Sequence, residues 1–227
     1  MPKAIVRPNP SRGFIEALIL LSVFALGLSM YRYLSSSTIR YWFLVWNLFL
    51  AWLPVIFAWL LYRRTPKGLY WSWPNFGWFA LWLLFLPNAF YLISDFVHLR
   101  RTGEVSLMFD VVLIGTYALA GLALGYTSLF MMHVRAIQRF GKRAHLLVAV
   151  ALLLSGFAIY LGRYLRWNSW DIVTNPFGLL FDVSDSIVNP SEHILTFTTT
   201  LLFFTFLSVI YFVIWRAAAL IATTPKD

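Results

Sequence analysis

Long runs of apolar residues constrain this chain more than any other feature of its sequence. A helix that crosses a bilayer needs about 20 such residues. Runs of that length lie at approximately residues 14–34, 41–62, 75–99, 109–133, 144–164 and 194–215. The sequence therefore predicts an all-α, polytopic membrane protein of about six transmembrane helices, built as one integral membrane domain over residues 1–227.

The basic and acidic residues divide unequally between the two ends of these runs. With the N-terminus inside, twelve of the 18 Lys and Arg residues lie on the inner side and seven of the nine acids near the outer side. Cytoplasmic loops carry such an excess of cations, so both termini are predicted to be cytoplasmic. The net charge of +9 then marks the inner leaflet and argues against nucleic acid as a partner.

Several classes of site are excluded by what the sequence lacks. The chain has no Cys, which rules out disulfides, zinc–thiolate sites, iron–sulfur clusters and a cysteine nucleophile. It also has no phosphate-binding glycine loop, no His-Glu-x-x-His pattern and no Gly-x-Ser-x-Gly pattern. These absences remove the familiar ATPases, zinc proteases and lipase-type hydrolases, and they leave the cofactor, if there is one, unknown.

The third run carries a stripe of polar residues near its predicted outer end. Asn88, Tyr91, Asp95 and His98 are spaced three, four and three residues apart, which places them on one face of an α-helix. Polar groups in an apolar helix avoid lipid and face the bundle or a water-filled cavity. The stripe therefore predicts an outward-facing polar pocket.

A second polar segment follows the fifth run and is predicted to lie at the same outer face. Arg163 and Arg166 are one turn apart, and Asn168 and Asp171 come directly after them. The planar guanidinium group suits a carboxylate or a phosphate. These arginines are predicted to bind Asp95 across the bundle, to bind an anionic ligand, or to do both; simple anchoring of the helix end is the alternative.

The connection between the fifth and sixth runs predicts a short amphipathic helix on the outer surface. Asn175-Pro176 is a helix-start signal. Leu180, Phe181 and Ser184 share a face that Asp182 and Asp185 avoid. Pro190 and Glu192 are predicted to begin the sixth span.

Two of these segments resemble the signatures of a known family. They are Phe85–Tyr91 with Ser94–Leu99, and Gly162–Asp171. The resemblance is to a family of bacterial multi-pass membrane proteins catalogued as domain of unknown function 1361, and it extends over nearly the whole chain. It implies location in the bacterial inner membrane. It implies no activity, and no catalytic residue carries over.

The polar residues of the predicted pocket have two interpretations, one chemical and one purely structural. Asp95 and His98 are candidates for a general acid/base pair or for metal ligands, with Asp182 and Asp185 as weak additional ligands. The structural interpretation is a buried ion pair of Asp95 with Arg163 or Arg166. Asp110 is assigned to the start of the fourth helix, where a negative charge suits the helix dipole.

Three functions of different classes remain open. The first is binding of an anionic lipid-like or phosphate-bearing amphiphile in the outer pocket, with enzymatic turnover as a further step. The second is a small proton-coupled transporter or channel that uses Asp95 and His98. The third is a non-catalytic assembly subunit whose polar network only fixes helix packing. The lipid bilayer is the one partner that all three share.

Overall fold

The computed structural model describes residues 12–223 except 67, 68, 70, 71, 102, 190 and 192. Regular structure in these residues is helical, which confirms the predicted all-α fold. Pro190 and Glu192, predicted to begin the sixth span, lie outside the described residues.

Eight α-helices and two short 3-10 segments account for the described secondary structure. The α-helices are α1 Arg12–Ser36, α2 Trp42–Arg64, α3 Trp73–Tyr91, α4 Leu107–Phe140, α5 Ala144–Tyr164, α6 Asp171–Thr174, α7 Pro176–Val188 and α8 Ile194–Thr223. The 3-10 segments are Leu92–His98, which continues α3, and Gly141–Arg143, which separates α4 from α5. The predicted amphipathic helix between the fifth and sixth runs is α7.

Each predicted span falls on one of the long helices. By length and hydropathy, five stretches of the described chain are able to cross a membrane. One of them, Leu107–Tyr164, has 58 residues and contains both α4 and α5. A helix of that length would extend about 87 Å, nearly three times the hydrocarbon core. The stretch is interrupted at Gly141, whose positive φ of 56° ends α4, so it supplies two spans.

The chain divides by its internal contacts into two compact units, whose described parts are residues 12–144 and 145–223. In the first unit, α2 packs against α3 and α4, and α1 packs chiefly against α4. Its core consists of large apolar side chains from these helices, among them Leu44, Phe90, Leu113, Ile114 and Tyr117, each fully buried.

Two glycines allow α3 and α4 to approach closely. A Cβ at Gly121 would collide with the carbonyl oxygen of Ala89, and one at Gly125 would lie 2.6 Å from the ring of Phe90. The two glycines are four residues apart, the spacing that permits close contact of membrane helices. This pair was not among the residues predicted to matter from the sequence.

In the second unit, α5 and α8 lie antiparallel. The rings of His145 and Trp215 are 6.2 Å apart near one end. Further along α5, a Cβ at Gly156 would lie 2.7 Å from the carbonyl oxygen of Thr200. Following this register, the last turn of α5, with Arg163, is level with the start of α8.

We expect Gly121→Ala to destabilise the protein by about 1–3 kcal/mol, because the added methyl group meets backbone that cannot rotate away. Gly27→Ala in α1 is the matched control, since nothing lies within 4 Å of its Cβ position. That control should be neutral or stabilising by up to about 1 kcal/mol. Thermal unfolding in detergent measures both variants, and equal melting temperatures for the two would contradict the close approach at Gly121.

Candidate functional site

The predicted polar stripe of the third span divides where the helix changes type. The α-helix ends at Tyr91, and Leu92–His98 is a 3-10 helix, in which residues three apart lie directly above one another. The hydroxyl of Ser94 donates to the carbonyl of Tyr91 at 2.6 Å, a local bond that competes with α-helical bonding. The α-helical spacing assumed for the stripe therefore holds only as far as Tyr91.

The side chains of the stripe differ in environment. Asp95 is buried and accepts a hydrogen bond from the amide of Asn47 on α2, at 3.2 Å. His98 is exposed, and its ring meets Phe43 edge-on with 4.9 Å between centroids. Asn88 and Tyr91 are half-buried, and the Asn88 amide donates to the carbonyl of Phe85 at 3.3 Å. The structure thus links Asp95 to α2 and leaves His98 at the surface.

The arginines after α5 occupy two different settings. Arg163 lies in the last turn of α5 and is half-buried. Arg166 is exposed and adopts a left-handed backbone conformation with φ 61°. Asp171, at the start of α6, accepts bonds from the backbone N–H of Asn168 at 2.7 Å and the hydroxyl of Thr174 at 3.1 Å. These bonds, with the Asn168 backbone first, lower the pKa of Asp171.

Helix α7 exposes large apolar side chains. Phe177, Phe181 and Val188 are each more than 70% exposed. On the other face, the carboxylate of Asp182 accepts from the indole of Trp167 at 2.8 Å. The helix begins as predicted, because the side chain of Asn175 accepts from the backbone N–H of Gly178.

The second acid of α7 joins it to the start of α8. Asp185 accepts a bond from the Asn189 amide at 2.7 Å and lies 2.9 Å from Nε2 of His193. These two contacts, with Asn189 first, lower the pKa of Asp185. Across the described residues, no group of three or more His, Asp or Glu side chains is arranged to hold a metal ion.

The most complete polar cluster is one that the sequence analysis missed. It surrounds Arg32, near the C-terminal end of α1, whose side chain is 2% exposed. Nε of Arg32 donates to Asp110 at 2.8 Å, and Nη2 donates to Glu104 at 3.2 Å and to Asp110 at 3.4 Å. Nη1 donates to Thr38 at 3.1 Å and to Ser36 at 3.4 Å. All five N–H donors of the guanidinium group are therefore used.

Two further side chains complete this Arg32 cluster. The ring of Tyr41 lies 4.6 Å from the Arg32 guanidinium, and its hydroxyl donates to Asp110 at 3.4 Å. Arg40, partly exposed, donates to Glu104 at 3.1 Å. Two cations thus face two carboxylates. Asp110 is in the first turn of α4 as predicted, but its main contact is the buried arginine and not the helix dipole alone.

A buried arginine also lies at the opposite end of α4. Arg135 donates to the backbone carbonyls of Pro66 at 2.9 Å and Tyr62 at 3.1 Å, and to the side chain of Gln138. Its guanidinium is 3.6 Å from the centroid of the Tyr62 ring. It therefore satisfies carbonyl groups at the C-terminal end of α2. The basic residues of this segment were predicted only as a topology signal.

The helical fold, with its long apolar spans and polar residues near their ends, defines a multi-pass integral membrane protein. A family model described as protein of unknown function (DUF1361) matches residues 46–213. The chain belongs to this family, which confirms the resemblance drawn from its sequence. No curated protein and no solved structure matches the chain.

We expect Arg32→Ala to destabilise the protein by about 3–5 kcal/mol, because it leaves the buried Asp110 carboxylate without its cation. The double variant Arg32→Met/Asp110→Leu should recover much of this loss, since no charge then remains buried. Arg12→Ala is the control, because the Arg12–Glu16 pair is exposed and such a pair contributes about 0–1 kcal/mol. Thermal unfolding measures all three, and additive losses in the double variant would contradict the proposed coupling.

A pH dependence follows from Glu104. Hydrogen bonds from Arg40, then Thr38 and Arg32, lower its pKa below the usual value of 4.5. A carboxylate with a depressed pKa stabilises the fold above its unfolded pKa and ceases to do so as pH falls through the folded value. Wild type should therefore exceed Glu104→Gln in melting temperature near neutral pH, and the gap should narrow below about pH 4.5. A gap that stays constant with pH would contradict this.

Proposed function

We propose that the protein binds an anionic amphiphile, lipid-like or phosphate-bearing, at the membrane end where α5 finishes. The proposal includes a single membrane domain in a bacterial inner membrane, with both termini cytoplasmic and this end facing outward. The excess of cations at the other end of the spans supports that orientation.

The backbone of Arg166 is the observation that carries the proposal. Left-handed residues just beyond a helix are usually Gly or Asn, because a longer side chain costs about 1 kcal/mol there. Arg166 occupies such a position with φ 61° and an exposed side chain. Within the described residues, no hydrogen bond or ion pair engages its guanidinium group. A costly conformation retained by a residue with a free charged group supports a binding role.

The surroundings of Arg166 favour an amphiphile over a soluble anion as the proposed ligand. The exposed apolar face of α7, with Phe177 and Phe181, is suited to the boundary between headgroups and acyl chains. The hydrogen bond from Trp167 to Asp182 joins α7 to the residue that directly follows Arg166. A ligand with a negative head and an apolar tail matches both features.

Other predicted pocket residues belong to the proposal as predictions. Arg163 is the second cation for the headgroup, and Asn168 and Asp171 form the turn that follows Arg166. Asn88 and Tyr91 are hydrogen-bonding candidates. Asp95 and His98 are the candidate acid/base pair for any turnover.

A second function, a non-catalytic assembly subunit, is favoured by the Arg32 cluster. Its five donors are satisfied inside the protein, and its charges are matched. Such a network fixes the positions of helices without needing a ligand.

Arg166→Asn separates the two functions, because Asn tolerates the left-handed conformation and carries no charge. We expect this variant to keep the wild-type melting temperature but to retain about tenfold less phosphatidylglycerol, a loss of roughly 1.4 kcal/mol. Native mass spectrometry of protein incubated with phosphatidylglycerol or phosphatidylcholine vesicles measures retention. Arg166→Lys, which keeps the charge, should fall between the two. Equal phosphatidylglycerol retention by wild type and Arg166→Asn would contradict the proposal and favour the assembly role.

A further inference from the structure

A groove of about 250 Å³ separates the ends of α1 and α2 that lie beside the Arg32 cluster. One end of the groove is polar, at Thr38 and Tyr41, and the part of the groove below these residues is mainly apolar. Arg32 also lines this polar end, with its donors bonded inside the Arg32 cluster. Apart from Ser29, the remaining walls are apolar or aromatic side chains: Leu26, Met30, Tyr33, Ile39, Trp42 and Val45.

The two helices are in contact farther down. The indole of Trp52 on α2 donates to the hydroxyl of Ser22 on α1 at 3.2 Å, about one turn below Leu26, the lowest residue of α1 that lines the groove. At its upper end, α1 is drawn toward α4 by the bonds of Arg32 to Asp110 and of Ser29 to Tyr117. The groove therefore lies between the Ser22–Trp52 contact and the contacts of Arg32 with Thr38 and Tyr41.

The groove is short enough to lie within one leaflet of the bilayer. From Leu26 to Tyr33, the α1 residues that line it, α1 rises about 10 Å at 1.5 Å per residue. The hydrocarbon core of a bilayer is about 30 Å thick, so the groove extends over about a third of it, within one leaflet. An acyl chain entering from the adjacent headgroup region has that reach.

The chemistry of the walls favours a lipid chain over another helix. Membrane helices associate through small residues that let backbones approach, and the walls of the groove are large side chains. The one small residue, Ser29, has its hydroxyl bonded to Tyr117. Exposed aromatic residues at the upper end, Tyr33 and Trp42, are the type that lies at headgroup level.

We propose that the α1–α2 groove is a binding site for one acyl chain of a membrane phospholipid. The lipid headgroup lies beside Thr38, Arg40 and Tyr41. Because Arg32 and Arg40 are balanced by Glu104 and Asp110, the site selects the chain and not a charged headgroup. This inference goes beyond the proposed function, since it involves other residues and a ligand that need not be anionic.

The test fills the groove and counts the phospholipid that remains bound. Val45→Trp places a large ring in the groove, and Leu20→Trp is the control, because Leu20 is exposed on α1 and does not line the groove. Each protein is incubated with phosphatidylcholine or phosphatidylglycerol vesicles and examined by native mass spectrometry. Arg166→Asn serves as the background, so that loss of the proposed anionic site does not affect the count.

We expect one retained phospholipid in the Arg166→Asn background, with phosphatidylcholine and phosphatidylglycerol retained equally within about twofold. Adding Val45→Trp should reduce retention at least about tenfold, and adding Leu20→Trp should leave it unchanged. Equal retention by the Val45→Trp and Leu20→Trp proteins would overturn the proposal. A shift of the Val45→Trp protein from dimer to monomer would also overturn it, by identifying a second copy as the occupant.

A second measurement keeps the test decisive if Val45→Trp does not fold. Wild-type protein is irradiated with a phospholipid that carries a photoactivatable group in its acyl chain. Cross-links to Met30 or Val45 are expected, and cross-links confined to outward residues such as Leu20 would overturn the proposal.

Discussion

The buried ion pair between Arg32 and Asp110 is the contact on which the rest of the residue 12–144 unit depends. Neither charge can remain alone in an apolar interior, so α1 and the start of α4 must meet where these side chains lie. The same pair draws in Glu104 and Tyr41, which fixes both connections at that end of the helices. The groove between α1 and α2 lies directly beside this attachment, because Arg32 and Tyr41 also line it.

The two buried arginines of this unit are stabilised in different ways. Arg32 is matched by carboxylates, whereas the described contacts of Arg135 are with uncharged oxygen atoms and an aromatic ring. Carbonyl oxygens at the end of α2 carry partial negative charge from the helix dipole, so they provide part of what a carboxylate would. The unit therefore uses ionic pairing at one end and helix capping at the other, in agreement with the small number of acids near the predicted cytoplasmic side.

The helices could be predicted from the sequence because apolar run length is a property of each segment alone. The start of α7 was predictable for the same reason, since Asn175 and Pro176 act locally. The Arg32 cluster was not, because its members are separated by up to 78 positions and only packing brings them together. The 3-10 segment was not predicted, and so the assumption that the polar stripe lies on one face of an α-helix does not hold after Tyr91. The four-residue spacing of Gly121 and Gly125 was visible in the sequence, but it was not used to predict the close contact of α3 with α4.

The length of α4 has a practical consequence for imaging. Its 34 residues extend about 51 Å, more than the roughly 40–45 Å of a bilayer with its headgroups. An upright α4 would therefore project several ångströms into the aqueous phase before the turn at Gly141–Arg143. A rigid helical domain fused in frame at that turn would extend from a continuous helix and not from a loose tether. It would supply the extramembrane mass that a small membrane protein needs for particle alignment in electron cryomicroscopy.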